Sequence, residues 1–66
     1  MKPIIRVEEV RYGRILQWEA ELSEESRVRG VGLNSELAIR DLLVKLENLG
    51  LPHVHADYII AYDERR

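Results

Sequence analysis

His53, His55 and Asp57 stand at alternate positions in the segment His53-Val54-His55-Ala56-Asp57. In extended backbone such residues project to one side. Two imidazoles and a carboxylate are a sensible start for zinc or another divalent cation. The chain has no other histidine and no cysteine, so a further ligand would have to be a carboxylate, a water or a group from a second subunit. A polar connection between two elements accounts for the same residues with fewer requirements. The segment is therefore read as a connection, and no metal or other cofactor is expected. A metal held there would join subunits rather than drive a reaction.

The other residues that do chemistry are poorly grouped. Ser23 and Ser26 fall in a turn and Ser35 opens a helix, and nothing in the pattern sets a histidine beside any of them. Gly30-Val31-Gly32 precedes a helix, as phosphate-binding loops do. It lacks the third glycine of a dinucleotide fingerprint and the Gly-Lys-Ser/Thr of a P-loop, so it is read as a packing device. Glu8-Glu9 and Glu24-Glu25 are sequence neighbours, and neighbours in a strand point to opposite faces, which rules them out as acid/base pairs. The expectation is a protein that is not an enzyme.

Arg6, Arg11, Arg14, Arg27 and Arg29 lie in or beside the first three strands, near Tyr12 and Trp18. Arginines interleaved with aromatics can hold single-stranded nucleic acid, and this is the alternative function. The charge balance opposes it: twelve acidic residues outnumber ten basic ones, for a net charge of −2, where nucleic-acid binders are commonly basic. Trp18 also shares the apolar face of its strand, which suits a core residue better than a stacking platform.

The elements that must position these residues follow from periodicity. Ile4 to Tyr12 is rich in β-branched residues and reads as a strand. Gly13 marks a turn. From Arg14 to Leu22, Leu16, Trp18, Ala20 and Leu22 alternate with Gln17, Glu19 and Glu21, the period-two signature of a half-buried strand. Ser23 to Ser26 reads as a turn and Arg27 to Leu33 as a third strand, with Gly30 and Gly32 on one face, where a crossing helix needs room. Asn34 caps a helix running from about Ser35 to Leu49. Ile39, Leu42, Leu43, Leu46 and Leu49 form its apolar stripe, and Asp41 and Lys45 pair one turn apart. Gly50 stops the helix, Leu51 can pack back on Leu46, and Pro52 prevents continuation. Tyr58 to Tyr62 reads as the last strand, followed by a charged tail.

The fold class is therefore α+β: an antiparallel sheet of about four strands in β-β-β-α-β order, with one helix packed on one face, in a single domain spanning 1–66. One helix covers one face of such a sheet. Ile15, Tyr58, Ile60 and Tyr62 are candidates for the uncovered face, with Tyr58, Ile60 and Tyr62 as the oligomer interface. At 66 residues a chain has little core, and small domains commonly add disulfides, a metal or a second subunit. Cysteine is absent, so a homo-dimer or larger homo-oligomer is expected. No apolar run approaches the length of a membrane span. Met1 to Arg6 lacks the apolar region of a signal peptide. A soluble, cytoplasmic protein is the expectation.

The segment Val28-Arg29-Gly30-Val31-Gly32-Leu33-Asn34-Ser35-Glu36-Leu37-Ala38-Ile39, continuing as Asp41-Leu42-Leu43 and Lys45-Leu46, resembles the HicB-like antitoxin family. Members carry a third strand ending in Gly-x-Gly, a capping residue, an acidic first turn with Ala-Ile and a leucine-rich helix. The resemblance implies a partial ribonuclease-H-like β-β-β-α-β domain without catalytic activity. Its implied work is to bind a small, basic toxin ribonuclease and block it, as an oligomer. Glu19, Glu21, Glu24 and Glu25 are the acidic residues expected to face such a partner. Two departures stand out. Where members often carry Pro-x-Leu-Pro-Gly, this chain has Leu22-Ser23-Glu24-Glu25-Ser26. Many members also add a DNA-binding domain, and with the chain ending at Arg66 promoter binding of that kind is not expected.

Overall fold

A computed structural model describes residues 2–50 and 58–63, without the side chains of Ser26 and Asp63. The elements are β1 (Ile4–Tyr12), β2 (Ile15–Leu22), β3 (Glu25–Gly32), α1 (Ser35–Asn48) and β4 (Ile59–Asp63). The α+β class and the β-β-β-α-β order agree with the periodicity. His53, His55 and Asp57 lie outside the described residues, as do Leu51 and Pro52.

The β1–β2 hairpin is closed by Gly13 and Arg14. Gly13 has φ 63° and Arg14 does not enter the positive-φ region. A glycine with positive φ at the first of two loop positions is the pattern of a type II′ turn, whose twist matches that of the strands. This turn sets the antiparallel register, from Tyr12 opposite Ile15 to Ile5 opposite Leu22. The β2–β3 turn is tighter than the sequence implies. Glu25 pairs with Leu22, and Glu21 then pairs with Arg29, so β3 carries an irregularity around Ser26 to Val28.

The sheet order is β3-β2-β1-β4. β4 runs parallel to β1, with Ile5 beside Ile60 and Val7 beside Tyr62. The expectation of a wholly antiparallel sheet is corrected here to a mixed one. The helix carries the chain back along β3, so the next strand runs in the direction of β3, which is also the direction of β1. A crossover through a helix is what makes parallel neighbours reachable.

The helix starts where its cap predicts. Asn34 is extended, and its side-chain oxygen accepts the Leu37 N–H at 2.9 Å. At the other end Gly50, at φ 83°, takes the left-handed conformation and donates to Glu47 O at 3.0 Å. The core consists of Ile5, Val7, Ala20, Leu22, Ala38, Ile39, Leu42 and Leu46, with Trp18, Val28, Leu43 and Tyr58 packed against it. Leu16 and Leu49 depart from the expected apolar faces and are exposed. Leu16 pairs with Arg11 next to the hairpin turn, beyond the helix, and Leu49 is already the helix cap.

Gly30 and Gly32 face the helix because their partners across the ladder, Ala20 and Trp18, do. A Cβ on Gly30 would run into Ala38 O, Leu42 N and Leu42 Cβ, and one on Gly32 would stand 2.6 Å from Ala38 N. The helix backbone therefore lies directly on β3. Among the described residues no helix is long and apolar enough to cross a membrane.

Candidate functional site

The helix lies over β3 and β2 and reaches β1 only in part. Ladder partners share a face, so the registers assign the opposite, open face. It carries Ile4, Arg6, Glu8, Val10 and Tyr12 from β1, and Ile15, Gln17, Glu19 and Glu21 from β2. Arg29 and Val31 of β3, with Ile59 and Ala61 of β4, complete it. Ile15, placed on the uncovered face from sequence, is there and 62% exposed.

A polar network occupies the middle of this face. Glu19 is only 7% exposed despite lying opposite the helix. Tyr12 Oη donates to Glu19 Oε2 at 2.6 Å, and Gln17 Nε2 donates to the same oxygen at 3.5 Å. Arg29 Nη1 donates to Glu19 Oε1 at 3.2 Å, and its Nη2 reaches Glu21 Oε2 at 3.4 Å. A buried carboxylate needs partners of this kind, and among the described residues no buried side-chain nitrogen or oxygen lacks one. The Glu19 carboxylate, by accepting the Tyr12 hydroxyl, raises that phenol above its ordinary value. Partial desolvation and the charge of Glu19 act in the same direction, and Arg29 opposes them.

The four glutamates singled out from sequence do not form one edge. Glu19 and Glu21 lie on β2, an inner strand. Glu24 is exposed in the β2–β3 turn, and Glu25 opens β3. Glu25 accepts two hydrogen bonds from Arg27, at 2.9 and 3.3 Å. That guanidinium holds the Glu25 carboxyl below its usual value, and the carboxylate raises Arg27 in return. Glu19 and Glu21 share Arg29, so much of their charge is answered within the sheet.

Tyr58, Ile60 and Tyr62 also differ from expectation in their face. The register sets Ile60 beside Ile5 and Tyr62 beside Val7, both core residues, so these side chains lie on the helix side. They line a groove of about 450 Å³ with Ser35, Glu36, Ile39, Arg40 and Leu43. Tyr58 packs against the core, while Ile60 and Tyr62 remain exposed because the helix leans towards β3.

The arginines proposed as a nucleic-acid platform are divided. Arg6 and Arg29 lie on the open face and Arg11, opposite Leu16, on the other. Arg29 is engaged by two glutamates. Trp18 packs against the core on the helix side. No cluster of three or more metal-ligating side chains occurs among the described residues.

Sequence reasoning missed two features. The Tyr12–Glu19 pair was within reach, since the two-residue turn at Gly13 fixes the hairpin register and puts both residues on one face. The second feature lies on β3. Asp41 Oδ2 accepts the Val31 N–H at 2.9 Å, and Lys45 Nζ donates to Arg29 O at 2.8 Å. The Asp41–Lys45 pair, 3.0 Å apart, thus serves the edge of the sheet as well as the helix. No periodicity signals this, because it depends on where the helix lands.

No protein-family model matches the chain, and neither does any curated protein or solved structure.

Proposed function

We propose that this chain is a non-catalytic protein-binding domain, a HicB-like antitoxin that binds and blocks a small, basic toxin ribonuclease. The observation that carries this reading is the bare face of the sheet. It is broad and lined by an extended mixture of charge and apolar surface. Glu8, Glu19, Glu21, Arg6 and Arg29 occupy its middle, and Ile4, Ile15, Val31 and Ile59 are exposed around them. A macromolecular partner fits a surface of this kind, in which an apolar contact area surrounds polar groups. The element order and the seating of the helix on Gly30 and Gly32 support the resemblance carried by the segment from Val28 to Leu46.

Glu21 and Glu24 are the acidic residues best placed to meet a basic partner. Glu21 is half-buried on the open face, and Glu24 is exposed at its end. Glu19 acts by holding Tyr12 and Arg29 in place. Attraction between an acidic surface and a basic ribonuclease raises the rate of encounter and is screened by salt.

The test is inhibition of RNA cleavage by a small, basic toxin ribonuclease of the class that HicB-like domains block. Stoichiometric addition of the chain is expected to stop cleavage, and the double substitution Glu21→Lys with Glu24→Lys is expected to weaken inhibition at least tenfold. Absence of both binding and inhibition across such ribonucleases would overturn the reading. Tight, salt-sensitive binding of single-stranded RNA by the chain alone would replace it with the nucleic-acid alternative.

A further inference from the structure

The two edges of the sheet are finished differently. At β3 the outward backbone groups of Arg29 and Val31 are occupied by Lys45 and Asp41 from the helix, at 2.8 and 2.9 Å. An added strand would have to displace both. At β4 the Ile59 N–H turns inward and donates to Pro3 O at 2.9 Å. Alternation along the strand then turns the N–H and C=O of Ile60 and Tyr62 outward, and among the described residues nothing pairs with them. The side chains there are apolar and uncovered: Ile59 is 49%, Ile60 37% and Tyr62 60% exposed. Natural proteins rarely leave a flat apolar edge of this kind open.

From this asymmetry we infer that the β4 edge is covered by a second copy of the chain, with β4 pairing antiparallel to β4 about a two-fold axis at Ala61. Among the described residues each chain has one covered edge and one open one. Joining the two open edges leaves none, so the assembly closes as a dimer and does not grow into a fibre. The register follows from the strand itself. Ile59–Asp63 has Ala61 at its centre, and only an Ala61-centred pairing engages all five residues. It sets Ile60 opposite the partner's Tyr62 and the partner's Ile60 opposite Tyr62, with both outward groups of each residue bonded across the interface. An aromatic residue opposite a β-branched one is a favourable cross-strand pair. The result is one continuous sheet with both helices on the same face, and the open faces together present a single larger surface. The dimer does not depend on the antitoxin reading: it can form whether or not a ribonuclease binds.

The pairing makes a geometric prediction. Ala61 on the axis is a non-hydrogen-bonded pair, in which the Cα atoms approach to about 4.5 Å. This lies within the roughly 4.4–6.8 Å range of disulfides. The chain has no cysteine, so Ala61→Cys introduces a single thiol. Mild oxidation is expected to convert most of this variant to a covalent dimer, at least tenfold faster than Val44→Cys, placed on an exposed part of the helix. By light scattering the unmodified chain is expected at twice its 7.7 kDa mass. Ile60→Pro removes an outward N–H without touching the β1 ladder, a position where edge strands accept proline. It is expected to halve the observed mass with unchanged circular dichroism. A native chain that stays at single mass, or an Ala61→Cys variant that cross-links no faster than Val44→Cys, would overturn the proposal. If Ile60→Pro unfolds, the cross-linking comparison still decides the matter.

Discussion

Replacing Gly30 or Gly32 with alanine tests the seating of the helix on β3. At Gly32 the new Cβ would stand 2.6 Å from Ala38 N and 2.7 Å from Leu37 Cβ, where ordinary contact begins at 3.4 Å. At Gly30 it would meet the helix backbone at Ala38 and Leu42. Backbone cannot rotate aside as a side chain can, so the helix must lift. Restoring contact at Gly32 takes about 0.8 Å, and a gap of that size forfeits about a quarter to a half of each dispersion well across it. Ile39, Leu42 and Leu46 are buried on the helix, and each gains about 1.5–3 kcal/mol from burial. Losing about a third of that over three residues costs about 1.5–3 kcal/mol. A chain of this length has only about 3–10 kcal/mol in total. The melting temperature is expected to fall by about 10–20 °C, followed by far-UV circular dichroism. Gly13→Ala is the control. It has φ 63° and no heavy atom within 4 Å of the added Cβ, so backbone strain of about 1–2 kcal/mol is its whole cost. A Gly30→Ala protein that melts with the native chain, or above Gly13→Ala, would refute the argument.

Other consequences concern the cap, the edge and the open face. Asn34→Ala is expected to cost about 1 kcal/mol and Asn34→Gly only a few tenths in urea unfolding, because glycine still adopts the cap conformation. The Val31 N–H, and after it Lys45, hold the Asp41 carboxyl below its usual value. A carboxyl lowered in the folded state contributes stability that is present above its unfolded value and lost as pH falls through the folded one. Asp41→Ala should therefore cost about 1 kcal/mol at neutral pH and show a flatter loss of stability below about pH 4 than the native chain. Tyr12 is raised by its bond to Glu19, so its contribution is present below the ordinary phenol range and lost as pH rises through the folded value. Ultraviolet titration should find Tyr12 ionising above the ordinary phenol range, and Glu19→Gln should bring it back towards that range.

Several parts of this protein follow from residues close together in the chain. Alternation from Leu16 to Leu22 marked β2, because side chains in a strand change face at every residue. Asn34 and Gly50 marked the ends of the helix, since each satisfies or terminates backbone groups within a turn of itself. Gly30 and Gly32 announced the close approach of the helix, because two residues without a Cβ at alternate positions on one face of a strand need such a reason. Other parts depend on where distant segments meet. The direction of β4 follows from the path of the helix, which returns the chain to the start of β1. The face of Tyr58, Ile60 and Tyr62 follows from their parallel register with Ile5 and Val7. That Glu19 and Glu21 sit on an inner strand, already answered by Arg29, follows from strand order, which local pattern does not encode. The two edges look alike in the sequence. Only the landing of Asp41 and Lys45 on the backbone of β3 closes that edge, and among the described residues β4 has no such cover.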